Sequence, residues 1–190
     1  NGDNNVVIGS SAGINITGTS STVLIGKQAG EDINNATALG SVAVGHQSLK
    51  QLTSGAGNTA LGYLSLKTVA GGNYNTAVGY EAGENLTQSE NTLFGYNAGK
   101  LVVSSSRTVL IGAYAGDAIN VGDSSADGSV GVGYGSLGAL TSGSENCAVG
   151  YLSLKSITTG IRNTAIGYNA LSSADNDESN NTCVGYSAGS

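Results

Sequence analysis

The chain has 190 residues, enough for one substantial domain, with 31 Gly, no Pro, Met or Trp, and only 11% charged residues. Seven Lys and Arg against thirteen Asp and Glu leave a formal charge of −6. The basic residues are scattered, which excludes a phosphate-tracking nucleic-acid surface, and no apolar run approaches the roughly 18 residues of a helical membrane span.

A Pro-free, Gly-rich chain that is still 39% apolar fits a continuous array of β ladders. Proline would delete ladder hydrogen bonds, and glycine permits tight bends. Disorder is the competing reading for such a composition, but here the apolar residues recur at fixed positions. The chain begins at Asn1 with neither Met nor a signal peptide, so residues 1–190 are read as one repetitive domain, a fragment of a longer fibre.

From the N-terminus onward, a Gly preceded by a large apolar residue returns at Gly9, Gly26, Gly45, Gly62, Gly79, Gly95, Gly112, Gly133, Gly150, Gly167 and Gly185. The intervals are 17, 19, 17, 17, 16, 17, 21, 17, 17 and 18 residues. Each copy is a variant of the phrase N-T-A-V-G-Y, as at 75–80. The residue before the Gly is always large and apolar, from Ile8 and Ile25 to Ile166 and Val184. Two before it the residue is apolar and usually small, as in Ala43, Ala60, Ala77, Ala148 and Ala165. Three after it stands Ala or Ser, and seven after it another apolar column runs from Ile16 and Ile33 to Ile157 and Ala174.

Seventeen residues are too few for strand, crossover helix and return, and the apolar positions lack a helical period. They suit one coil: a strand of about five residues ending at the Gly, a bend, and a second short strand. The expected fold is all-β, a parallel β-solenoid (β-roll) of about eleven coils, in which each strand pairs with its equivalent in the next coil. A rise of roughly 4.8 Å per coil makes the rod about 50 Å long. The 19- and 21-residue intervals place extra residues in loops at 31–41 and 117–129.

A half-buried strand should alternate apolar and polar residues, yet both residues before each Gly are apolar, so both faces should be covered. The large column is expected to fill the core, with Val78 as its example, and the Ala column, Ala77 among it, to meet a partner. Three copies around one axis, a homotrimer, meet that need; a dimer is the alternative. Coils of the form N-T-A-V-G-Y-x-A resemble the head repeats of trimeric autotransporter adhesins and the repetitive shafts of bacteriophage tail fibres. The resemblance spans the chain from Asn4 to Gly189, although the adhesin head repeat is typically shorter than 17 residues. It implies a trimeric attachment fibre, extracellular, on a virion tail or a bacterial surface, whose partners are its own copies and a host surface glycan or protein.

Several columns are candidates for function. Tyr63, Tyr80, Tyr96, Tyr134, Tyr151, Tyr168 and Tyr186 follow the Gly, and His46 replaces Tyr in that column. They are read either as a structural stack or as aromatic faces for binding. Asn5, Asn58, Asn75, Asn91, Asn146, Asn163 and Asn181 suit amides bonding coil to coil at a turn. Thr59, Thr76, Thr92, Thr164 and Thr182 raise ice binding, against which stand the interruption of the column by Val109, Val130 and Cys147, the supply of only one Thr per coil, and a face shared with the large column expected to point inward. Acids gather in the longer loops, and Asp123, Asp127, Asp175 and Asp177 are the candidates for holding Ca²⁺, the one cofactor considered. Cys147 and Cys183 lie two coils apart, roughly 9–10 Å at the strand spacing, beyond disulfide reach, so two free buried thiols are expected. No nucleophile, base or zinc arrangement surrounds His46, and Glu81 and Glu84 read as solvated rim residues. The chain is therefore not expected to be an enzyme, a fibre-borne polysaccharide depolymerase being the last alternative.

Overall fold

The computed structural model describes residues 2–119, 126–173 and 177–190. Its regular structure is eleven strands of three residues: β1 (Val6–Ile8), β2 (Val23–Ile25), β3 (Val42–Val44), β4 (Thr59–Leu61), β5 (Thr76–Val78), β6 (Thr92–Phe94), β7 (Val109–Ile111), β8 (Val130–Val132), β9 (Cys147–Val149), β10 (Thr164–Ile166) and β11 (Thr182–Val184). They form one parallel sheet in sequence order. Neighbours pair in register, with Val23 opposite Val42, Ala60 opposite Ala77 and Thr164 opposite Thr182. The protein is thus an all-β parallel β-solenoid of about ten turns, and no helix occurs among the described residues. The 19- and 21-residue intervals leave β2–β3 and β7–β8 in register, so their extra residues are carried outside the ladder. Residues 120–125 of the second loop lie outside the described residues.

Each coil turns on backbone geometry that the repeat fixes. Four positions have positive φ in every coil: five before the landmark Gly, the Gly itself, and two and four after it. The Gly has φ between 131° and 144°. From Gly9 to Gly167 a Cβ there would press into the carbonyl of the next coil's Gly, so no larger residue fits. Two and four residues further on, φ is 47–68° whatever the side chain, including Leu49, Leu66, Leu137, Leu154 and Leu171. Those alternating left-handed residues are why the expected second strand does not form. The segment becomes a run of tight turns whose N–H groups still donate to the next coil, Gly13 to the Ala29 carbonyl and Gly30 to that of Ser48, both at 2.9 Å.

The strands face the opposite way from expectation. Successive residues point to opposite sides, and the inward ones are Leu24, Ala43, Ala60, Ala77, Leu93, Leu110, Ala148 and Ala165, all fully buried. The large residue before the Gly points outward: Val78 is half-buried, Leu61 is 46% exposed and Phe94 54%. Ala77 therefore lines the core and Val78 the surface, the reverse of the roles expected for them.

Small residues suffice inside because bulk is supplied from the facing wall. Where the inward strand residue is large, as Leu24, Leu93 and Leu110, the residue four after the landmark is Gly30, Gly99 and Gly116. Where it is Ala43, Ala60, Gly131, Ala148 or Ala165, that residue is Leu49, Leu66, Leu137, Leu154 or Leu171. A Cβ on Gly30 or Gly116 would meet the methyls of its own coil's Leu24 or Leu110 at 2.7 Å. Besides the terminal coils, which pair Val7 with Gly13 and Cys183 with Gly189, one coil departs from the exchange: Ala77 is paired with Gly83, and Leu66 and Leu93 of the adjacent coils lean into the space. The column seven after the Gly, from Ile33 to Ile157, completes the core. Each buried Leu or Ile contributes about 1.5–3 kcal/mol.

Both cysteines are free. Neither is enclosed as expected: Cys147 lies on an outward strand position, because its column faces the surface, and Cys183 faces inward in β11 but is only half-buried in that last strand.

Candidate functional site

The aromatic column forms a stack along one corner of the rod. The rings of His46, Tyr63, Tyr80 and Tyr96 lie 4.9–5.4 Å apart and within 17° of parallel. Tyr134, Tyr151, Tyr168 and Tyr186 repeat this at 5.1–5.3 Å and within 13°. Between the two runs stands Tyr114, which sequence reasoning missed because it falls two residues after Gly112 instead of one. From there its ring meets Tyr96 and Tyr134 edge-on, at 74° and 76°, so the column is continuous but its stacking is broken once. Burial and a hydrogen bond with the Glu81 carboxylate push the Tyr80 phenol above its ordinary range, and burial with a hydrogen bond to Tyr96 does the same for Tyr114. Nδ1 of His46 is buried without a hydrogen-bond partner among the described residues.

The Asn column is an internal ladder rather than a site. Asn75 Nδ2 donates to Asn58 Oδ1 at 3.1 Å and to the Gln88 carbonyl at 2.8 Å; Asn75 Oδ1 accepts from the backbone N–H and Nδ2 of Asn91 at 2.9 and 3.1 Å. Asn146 and Asn163 repeat the arrangement.

Glu81 and Glu84 are not solvated rim residues. Glu81 pairs with Lys100 at 2.6 Å and Glu84 with Lys67 at 3.3 Å, each with side chains largely covered. Lys50 pairs with Glu31, Arg107 with Asp127 and Arg162 with Glu145, so five of the seven basic residues are matched across adjacent coils.

Of the acids considered for Ca²⁺, Asp123 and Asp175 lie outside the described residues. Asp127 holds Arg107 at 3.5 Å and accepts the Ser106 N–H at 2.8 Å, while Asp177 is exposed. Among the described residues no three His, Cys, Asp or Glu side chains come together as a metal cluster.

The wall that carries the Tyr column is interrupted at one place. Two and five residues after the landmark, most coils carry long side chains: Gln28 and Glu31, Gln47 and Lys50, Leu64 and Lys67, Leu152 and Lys155. The coil at Gly133 carries Gly135 and Gly138 there. The missing side chains leave a hollow of about 390 Å³. Tyr114 and Asp117 of the coil before form one side, Leu152 and Lys155 of the coil after form the other, and Tyr134 stands at its edge. Asp117 is half-buried, and burial raises its carboxyl above the usual range against the opposing pull of Lys100. Neither Asp117 nor Lys155 forms an ion pair with a described residue.

No family model matches the chain, and no curated protein or solved structure matches it significantly.

Proposed function

We propose that the chain is the shaft or head of an extracellular or virion attachment fibre, assembled as a homotrimer and mediating adhesion to a host cell or surface. The observation that carries this reading is the outward face of the sheet. Two columns line it over all eleven strands: Val, Thr or Cys three before the Gly, and Val, Ile, Leu or Phe one before it. No charged residue occurs in either column, and none of these side chains is fully buried. The stripe runs the length of the rod, about 50 Å at the strand spacing, and apolar patches of such extent mark interaction surfaces. A second and a third copy fit it because their own stripes have the same period, so one contact repeats at every coil. Three weak sites held on one rigid rod then act together by avidity. Chemical cross-linking of the purified chain should give a three-chain species that Phe94→Asp with Ile111→Asp abolishes. A wild-type chain that cross-links to nothing defeats the proposal.

One observation favours a second reading. The Thr column of β4, β5, β6, β10 and β11 points outward, so the objection that it shares an inward face falls. A Thr and Val array, broken once by Cys147, on an in-register parallel sheet suits ice binding. The same face cannot be covered by other copies and presented to ice, so thermal hysteresis from a monomeric chain would favour this reading over the fibre.

A further inference from the structure

We propose that the hollow at the Gly133 coil binds a sugar residue that bears a carboxylate. Along most of this wall the described residues fill the repeat with stacked rings or with an ion pair between neighbouring coils. Here three departures coincide. Gly135 and Gly138 remove the side chains that fill other coils, Tyr114 leaves the stacked register, and Asp117 and Lys155 face one another across the hollow without pairing.

The volume, about 390 Å³, lies within the range of small-molecule sites. Its walls combine the edge-to-face rings of Tyr114 and Tyr134 with Leu152, one cation and one acid. A pyranose ring has an apolar face to lay on Tyr134 and Leu152 and hydroxyls for Asp117. A carboxylate on the sugar supplies the ion-pair partner that Lys155 lacks among the described residues, in a charge-assisted hydrogen bond. Burial raises the Asp117 carboxyl above its usual range, and a sugar hydroxyl can meet that group in either protonation state, as donor or as acceptor. The inference stands on the hollow alone, and its failure would leave the fibre reading, tested by subunit assembly, untouched.

The test is titration of the purified chain with glucuronic acid, N-acetylneuraminic acid and glucose, followed by saturation-transfer NMR and calorimetry. At least one of the acidic sugars should bind in the millimolar range and glucose more weakly. Lys155→Ala should lower affinity for the acidic sugar about tenfold, the loss expected for one charge-assisted bond. Gly135→Gln should abolish binding by filling the hollow. It should also keep the fold, because Gln28 and Gln47 already occupy this position with φ of 57° and 55°, against 58° at Gly135. An unchanged circular dichroism spectrum and thermal midpoint check that point. Absence of binding to both acidic sugars, equal binding of glucose, or unaltered binding in both variants overturns the proposal.

Discussion

At the scale of single residues, the solenoid depends on polar side chains that a core of Ala and Leu could not tolerate unpaired. Asn75 is fully buried, and its amide serves three neighbours: Asn58, Gln88 and Asn91. Asn75→Ala strands the Asn91 N–H and the Gln88 carbonyl, which should cost about 2–3 kcal/mol of stability in urea denaturation. Asn75→Ser should cost less than about 1 kcal/mol, because Ser129 performs the same double role, donating to the Gly143 carbonyl and accepting the Asn146 N–H. The phenols give a pH signature. Tyr80 and Tyr114 hold their protons to higher pH when folded than the ordinary value of 10.0. The folded state therefore binds these protons more tightly than the unfolded chain, and their contribution is complete below pH 10 and lost as pH rises through the raised values. Denaturation midpoints should fall above pH 10, and Tyr80→Phe with Tyr114→Phe should flatten that fall.

At the scale of the coil, the exchange of bulk between two inward positions predicts coupling. In the coil of β9, Ala148→Leu alone overpacks the core and should cost about 1–3 kcal/mol. Leu154→Gly alone opens a cavity, at about 2–5 kcal/mol. The pair recreates the Leu–Gly arrangement of Leu24 with Gly30, so a double-mutant cycle should show the two losses partly cancelling, by more than about 1 kcal/mol. Simple additivity would contradict the exchange. The period, the in-register pairing, the Asn ladder and most of the Tyr stack were legible because each depends on one residue type returning at one position. Facing was not legible: the residues at 77 and 78 are both apolar, so hydrophobicity could not say which points in, and size misled because the volume needed inside comes from Leu49 or Leu66 on another wall. Tyr114 escaped because a left-handed residue two after Gly112 still brings its ring to the column. The Glu81–Lys100 pair escaped because it joins different positions of adjacent coils, whereas Glu31–Lys50, Lys67–Glu84 and Arg162–Glu145 join like positions at which the residue type changes from coil to coil. The hollow was hidden for the reverse reason, being defined by side chains that are missing at Gly135 and Gly138.

At the scale of the whole molecule, the coils are joined by ten identical strand pairings and carry an uncovered row of Val, Ile, Leu and Phe from β1 to β11. The stripe is continuous and free of the charges that guard exposed sheets, which is why the proposed assembly is placed on it. The proposed association through this face would cover residues as large as Phe94 and Ile111, while three of the five ion pairs and the aromatic column occupy the wall after the bend. The charge distribution agrees with that division, because all five cross-coil ion pairs lie outside the two strand columns. The most direct test is the mass of the purified chain by sedimentation equilibrium. The account predicts three times the 18.7 kDa of one chain, falling to a single chain with Phe94→Asp and Ile111→Asp; a wild-type mass of 18.7 kDa across the micromolar range would contradict it.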